Sequence, residues 1–161
     1  MTIFGSSGDH RLHELGPDDV DLMEAMNTMF GEAFEDAEVY GGARPSRTYL
    51  SRLLGRPHFI AMAALDAGTV VGGLVAYELE KFERARSEIY IYDLAVAASH
   101  RRCGIATALI DALRALAARR GAYVIFVQAD HGDDPAIALY DKLGVREDVL
   151  HFDIAPLRRI S

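Results

Sequence analysis

The chain has 161 residues, half of them hydrophobic and a quarter charged, a composition typical of one globular domain with its own core. Its 17 basic and 24 acidic side chains give a net charge of −7, which argues against nucleic acid as the main partner because phosphate binding needs basic surface. No apolar run approaches ~20 residues, so no membrane span is expected. The absence of a signal-like N-terminus and the single cysteine fit a cytoplasmic protein.

In the first half of the chain, the sequence predicts a loose tail over residues 1–9 and a short edge strand over residues 10–15. Pro17 and the acidic side chains after it are typical of a helix start, and apolar spacing continues this helix to Ala33. Residues 34–44 break that spacing and carry acidic side chains beside two glycines, which predicts an exposed, mobile, acidic loop. Ser46 can cap a second helix that ends near Gly55.

The second half alternates strands and helices. Two strands, 58–65 and 69–79, form a hairpin, and an apolar central strand over residues 88–96 leads through a basic loop to a helix that ends before Gly121. A buried strand at 123–128, a helix at 135–143 capped by Asp134, and a last strand at 149–154 complete the chain. The order β-α-α-β-β-β-α-β-α-β predicts a single α/β domain of the α+β type, residues 1–161, with a mixed central sheet flanked by helices.

The loop between the central strand and its helix has the chemistry of an anion-binding site. Arg101 and Arg102 supply positive charge, and Gly104 lets a phosphate approach the backbone. The free N–H groups of the helix's first turn point toward this loop, where the helix dipole also favours negative charge. The alternative is a basic turn that only starts a helix.

This loop resembles the acyl-CoA pyrophosphate loop of the GNAT acetyltransferase superfamily. The matching residues are Arg101, Gly104 and Ala106, in the pattern arginine or glutamine, two residues, glycine, one residue, glycine or alanine. The preceding strand ending in Leu-Ala-Val and the segment 138–144 resemble further signatures of the superfamily. Over residues 49–154 the chain looks like the aminoglycoside 3-N-acetyltransferases of the gentamicin/fortimicin type.

The resemblance implies that acetyl-CoA or coenzyme A is the cofactor. Its pyrophosphate would meet the basic loop, and its pantetheine arm would pair with open backbone at the end of the central strand. The six histidines show no paired spacing that suggests a metal, and Cys103 is not expected to act as a nucleophile. The cofactor-binding candidates are Leu94, Ala95, Val96, Arg101, Arg102, Cys103, Gly104, Ile105, Ala106, Thr107 and Tyr140.

The resemblance also implies two catalytic roles. The acceptor ammonium must lose a proton before it attacks, and Asp93 at the end of the central strand is the first candidate base, with Glu88 the second. Tyr140 occupies the position where these enzymes present a phenol to the leaving sulfur. A structural hydrogen bond for Asp93 and a packing role for Tyr140 are the alternatives.

An aminoglycoside is a polycation, so its site should offer several carboxylates. The acceptor-binding candidates are Glu35, Asp36, Glu88, Tyr92, Asp130 and Asp153. In a regular strand Tyr90 and Tyr92 would project to the face opposite Asp93. The resulting expectation is 3-N-acetylation of deoxystreptamine aminoglycosides such as gentamicin by a cytoplasmic homodimer that confers resistance. The rivals are a GNAT enzyme for another amine and a non-catalytic acyl-CoA-binding module.

Overall fold

The computed structural model describes residues 3–7 and 10–158, and within these residues six strands form one mixed sheet in the order in which they occur along the chain. The strands are β1 (Ile3–Ser7), β2 (His10–Glu14), β3 (Phe59–Asp66), β4 (Thr69–Glu80), β5 (Ser87–Val96) and β6 (Ala122–Val127). The helices are α1 (Val20–Ala33), α2 (Ala37–Gly41), α3 (Arg47–Leu54), α4 (Ile105–Arg120) and α5 (Asp134–Leu143), with a 3₁₀ turn at Ala98–His100.

The strand directions confirm the predicted mixed sheet. Strands β1 to β5 pair antiparallel, each with the next, while β5 and β6 run parallel because α4 carries the chain back across the sheet. The hairpin of β3 and β4 is closed by a tight turn in which Gly68 has φ +83°. This arrangement leaves β5 between an antiparallel and a parallel neighbour.

Two adjacent glycines of β4 let a helix approach each face of the sheet. A Cβ at Gly72 would lie 2.7 Å from the Ile105 side chain of α4, and a Cβ at Gly73 would overlap Met26 of α1. Since successive strand residues point to opposite faces, α1 and α4 cover opposite sides of the sheet. The close packing at Gly72 places the first turn of α4 beside the end of β5, because Gly72 pairs with Val96.

Several expectations are wrong in detail. Residues 3–7 of the expected loose tail form β1, and the acidic loop at 34–44 contains the helix α2. The expected last strand at 149–154 has no regular secondary structure. Among the described residues β6 is the last strand of the sheet, and Tyr123 and Val124 are exposed where a buried strand was expected. Asp133, one residue before the predicted Asp134, caps α5 by accepting a hydrogen bond from the backbone N–H of Ala136 at 3.3 Å.

The chain forms two compact units. The first ends at Gln128 and contains the whole sheet, and the second begins at Ala129 and contains α5. In the part of the chain that the structure describes, no helix is both long and apolar enough to cross a membrane.

Candidate active site

The central strand β5 carries a β-bulge at Tyr92. Val75 of β4 pairs with Asp93, but its next neighbour Ala76 pairs with Ile91, so Tyr92 has no opposite residue. Tyr77 of β4 then pairs with Tyr90, which puts Tyr90 and Asp93 on the face shared by Val75 and Tyr77. The expectation that Tyr90 projects to the face opposite Asp93 is therefore wrong. The extra residue at the bulge reverses the alternation of side chains along β5.

Asp93 is held by a phenol from α2. The Tyr40 hydroxyl donates a hydrogen bond of 2.9 Å to Oδ2 of Asp93. Burial raises the pKa of the Asp93 carboxyl above its ordinary value, and the Tyr40 hydrogen bond opposes this shift because it favours the charged form. Burial, followed by the contact with Asp93, raises the pKa of Tyr40, so its hydroxyl stays protonated and remains a donor. Asp93 is thus a half-buried carboxyl whose pKa is shifted toward neutrality, as suits a general base.

The helix α2 adds a second carboxylate near this pair. Asp36 caps α2 by accepting a hydrogen bond from the backbone N–H of Val39 at 3.2 Å, and its charge contributes to the raised pKa of Tyr40. The preceding Glu35 is exposed and has φ +53°. Of the sequence-predicted acidic residues, Asp93 therefore accepts from the Tyr40 hydroxyl, and Asp36 caps the helix that carries Tyr40.

Exposed aromatic surface lies next to the carboxylates. Tyr92, at the bulge, is 62% exposed and meets the rings of Tyr77 and Tyr90 edge-on, at centroid distances of 5.9 and 5.8 Å. Tyr90 is fixed in turn by stacking on Phe126 at 4.7 Å. Carboxylates beside an exposed ring form a surface suited to a cation, through ion pairing and cation–π contact.

The bulge lies where the pairing between β5 and β6 ends. Within the described residues, pairing of β5 with β6 ends at Ile91 and Val127, while pairing with β4 continues to Val96. The backbone from Asp93 to Val96 therefore has one edge without a strand partner in the sheet. Such an edge can accept an extended ligand by strand addition, which is what the predicted Leu94, Ala95 and Val96 would do.

The basic loop continues directly from this open edge. Arg101 and Arg102 are exposed, Arg102 has φ +61°, and Gly104 has φ +76° at the N-cap of α4. No side chain at the cap accepts a hydrogen bond from the first-turn N–H groups of α4, so these groups can donate to an anion. The donor set fits a pyrophosphate. Ile105 itself is buried against the sheet and can contribute only its backbone, and Ala106 and Thr107 complete the first turn.

We expect Gly104→Ala to weaken acetyl-CoA binding at least about tenfold, because an alanine resists the left-handed backbone by about 1–2 kcal/mol and distorts the loop. Gly121→Ala is the matched control, since Gly121 lies at the other end of α4 with φ +74° and, like Gly104, open space around a new Cβ. Both variants should lose similar stability in urea unfolding, but only Gly104→Ala should lose affinity in calorimetry. If the two variants bound acetyl-CoA with equal affinity, the basic loop would not be its binding site.

The other predicted residues are Glu88, Cys103 and three residues of the second unit. Glu88, near the opposite end of β5, accepts hydrogen bonds from Lys81 at 3.2 Å and Tyr123 at 3.0 Å, which indicates a structural role. Asp130, Asp153 and Tyr140 belong to the second unit. There Asp153 lies in an irregular segment with its carboxylate 3.0 Å from His151, and burial, followed by the charge of Asp133, raises the pKa of Tyr140. Cys103 is exposed in the basic loop.

Tyr40 is the residue that the sequence prediction missed. A signal existed, because Asp36 followed by residues without glycine or proline is a typical helix start, which would have placed Tyr40 on a helix. Its contact with Asp93 spans 53 positions and has no local signature.

Comparison with known proteins identifies the family. The model of the Acetyltransferase (GNAT) family matches residues 21–145, and the chain belongs to this family, whose members are acetyltransferases that use acetyl-CoA. A search of curated protein sequences gives no match.

Several solved structures are similar to this chain. The aminoglycoside acetyltransferase HMB0005 from an uncultured soil metagenomic sample is 63% identical, with a TM-score of 0.90 over 92% of this chain and 99% of that one. The aminoglycoside acetyltransferase meta-AAC0020, also from soil and in complex with sisomicin, is 30% identical, with a TM-score of 0.86 over 92% and 97%. A ribosomal-protein-alanine N-acetyltransferase from Brucella melitensis biovar Abortus 2308 is 23% identical, with a TM-score of 0.71 over 91% and 98%, and supports the fold alone.

Proposed function

We propose that this protein transfers an acetyl group from acetyl-CoA to an amine of an aminoglycoside, with the 3-amino group of deoxystreptamine as the acceptor. The observation that carries the acceptor class is the 63% identity to HMB0005 over nearly the whole chain. The sisomicin complex of meta-AAC0020 supports the same class at 30% identity. The 3-amino position and gentamicin as a substrate rest on the sequence resemblance over residues 49–154.

The chemistry of the first unit suits a polycationic acceptor. Asp93 accepts a hydrogen bond from the Tyr40 hydroxyl, and Asp36 caps the helix that carries Tyr40. Glu35 is exposed beside Asp36, and Tyr92 offers an exposed ring. An aminoglycoside carries several ammonium groups, so it can pair with more than one carboxylate at once. The net charge of −7 would also attract such a ligand to the protein.

Proton transfer in this proposal uses two side chains. Acetyl-CoA supplies the activated acetyl thioester, and the acceptor amine attacks it directly in a ternary complex. Asp93 takes the proton that the acceptor ammonium must lose, and Tyr40 holds the carboxylate in place. Tyr140 donates a proton at the leaving sulfur, a role its raised pKa permits because the phenol stays protonated. Asp130 and Asp153 are proposed as further acceptor contacts.

The proposal extends to the whole protein. Residues 1–161 would act as a single domain within a cytoplasmic homodimer. Acetylation removes one positive charge and a hydrogen-bonding ammonium from the drug, which would weaken its binding to ribosomal RNA and so confer resistance.

The experiment that tests the proposal is free-thiol release from acetyl-CoA by purified protein, with gentamicin, spermidine and a lysine-bearing peptide as acceptors. We expect turnover with gentamicin, with mass spectrometry locating one acetyl group on the 3-amino nitrogen. Acetylation of another nitrogen would overturn the regiochemistry alone. Turnover only with spermidine or the peptide would overturn the acceptor class, and acetyl-CoA binding without turnover on any amine would favour the binding-module rival.

A further inference from the structure

Three potential metal ligands from distant parts of the sequence converge beside the basic loop. His10 begins β2, Asp66 ends β3, and His100 ends the 3₁₀ turn. One ligand atom from each lies within 4.8 Å of the others. The Nε2 atom of His100 is 2.8 Å from Oδ2 of Asp66, and the His10 and His100 rings meet edge-on with centroids 5.7 Å apart. The spacing of histidines along the sequence cannot reveal this cluster.

The fold itself creates the cluster. Arg11 pairs with Leu65, so the next residues outward, His10 and Asp66, lie beside each other at the end of two neighbouring strands. The backbone N–H of Ala97 donates to the carbonyl of Val71 at 2.8 Å, which holds the start of the 3₁₀ turn against β4. Because β3 and β4 are joined by the turn that follows Asp66, this bond brings His100 to the same end of the sheet.

The donor set matches a borderline divalent cation. Two imidazoles and one carboxylate are common zinc ligands, whereas Mg²⁺ and Ca²⁺ select sites built from oxygen. Bonds of about 2.0–2.1 Å in a tetrahedron place ligand atoms about 3.3 Å apart. The observed separations, from 2.8 Å to at most 4.8 Å, require the ligand atoms to shift by up to about 1.5 Å. His100 and Asp66 are 25% and 45% exposed, so they can move, and an ion can enter.

A neighbouring side chain orients one ligand. Ser99 Oγ lies 2.7 Å from Nδ1 of His100, which leaves Nε2 directed at Asp66. Metal-binding histidines characteristically use their second nitrogen in this way, since the outer hydrogen bond fixes the ring and its tautomer. The Ser99 contact therefore gives His100 the outer hydrogen bond that a metal-binding histidine uses.

We propose that His10, Asp66 and His100 bind one Zn²⁺ ion, with water in the fourth position. His100 directly precedes Arg101, so the ion would join the neighbouring ends of β2 and β3 to the start of the basic loop.

The test is zinc binding by untagged, metal-free protein in competition with a chromophoric chelator. The wild type should bind one equivalent of Zn²⁺ and should not bind Mg²⁺ in its place. His10→Ala and Asp66→Asn should each weaken zinc binding at least about tenfold, because each removes a ligand. His58→Ala is the matched control, since His58 is an exposed histidine next to the other end of β3, and it should bind like the wild type.

A second readout excludes loss of folding as the cause. Zn²⁺ should raise the Tm of the wild type and of His58→Ala but not of His10→Ala, while metal-free Tm values stay similar. Substituted Co²⁺ should give visible absorption bands that His10→Ala loses. The proposal is overturned if the wild type binds no zinc, or if His10→Ala and Asp66→Asn bind it with unchanged affinity.

Discussion

Asp93→Asn should lower kcat for acetyl transfer about 10²- to 10⁴-fold, the range that a positioned general base contributes. The asparagine can still accept the Tyr40 hydrogen bond, so the geometry around β5 should persist while the capacity to take a proton is lost. The measurement is steady-state thiol release with saturating acetyl-CoA and gentamicin. A rate within a factor of a few of wild type would refute Asp93 as the base.

The pH dependence of activity tests the role of Asp93 as general base more specifically than the rate alone. Activity should rise with pH as the carboxyl ionises, and burial places this acidic limb above the ordinary aspartate range. Tyr40→Phe removes the hydrogen bond that favours the charged form, so it should move the limb to higher pH while preserving much of the maximal rate. Tyr49→Phe, which alters an exposed phenol of α3, is the control and should leave the profile unchanged. A limb that stays in place in Tyr40→Phe would contradict the proposed coupling.

The raised pKa of Asp93 also affects the stability of the folded protein. A carboxyl whose pKa is higher in the folded than in the unfolded state favours folding below its unfolded pKa, and this advantage is lost as pH rises through the folded pKa. The ionised Asp93 therefore costs stability at neutral pH, and Asp93→Asn should keep or raise the Tm there. A variant that is at least as stable yet inactive would separate the chemistry from the fold.

The helix ends of the first unit were predictable because their signals are local. Ser46 caps α3 through the N–H of Tyr49, and Arg119 and Arg120 followed by Gly121 end α4, as the sequence indicates. Each of these features depends on residues within one or two helical turns. The succession of β5, basic loop and α4 was predictable for the same reason, since the three are contiguous in the chain.

The features that the sequence did not predict correctly depend on partners that are distant along the chain. The bulge at Tyr92 follows from how β5 pairs with β4, and nothing within β5 reveals that Tyr90 and Asp93 share a face. The apolar residues at 149–154 favour a strand, but a strand forms only where a neighbour satisfies its backbone, and propensity supplies no neighbour. The contact of Tyr40 with Asp93 is another non-local event of this kind.

Phe30→Ala should destabilise the protein by about 3–5 kcal/mol, the largest stability effect we expect from one substitution. Phe30 lies on the buried side of α1, is 1% exposed, and stacks on Phe34 with centroids 5.7 Å apart. Its ring is also 6.0 Å from that of Tyr40, so Phe30 supports the phenol that holds Asp93. Urea unfolding measures the loss of stability.

Phe34→Ala is the control for this substitution, because Phe34 shares the same stack but is 41% exposed. It should cost only about 1 kcal/mol, since less apolar surface leaves water on folding. Phe30→Leu keeps much of the buried volume while removing the ring beside Tyr40, so it should fold and move the acidic limb of the pH profile in the same direction as Tyr40→Phe. If Phe30→Ala and Phe34→Ala cost the same, burial at this position would not be the source of stability. If Phe30→Leu left the pH profile unchanged, Phe30 would support the core without positioning Tyr40.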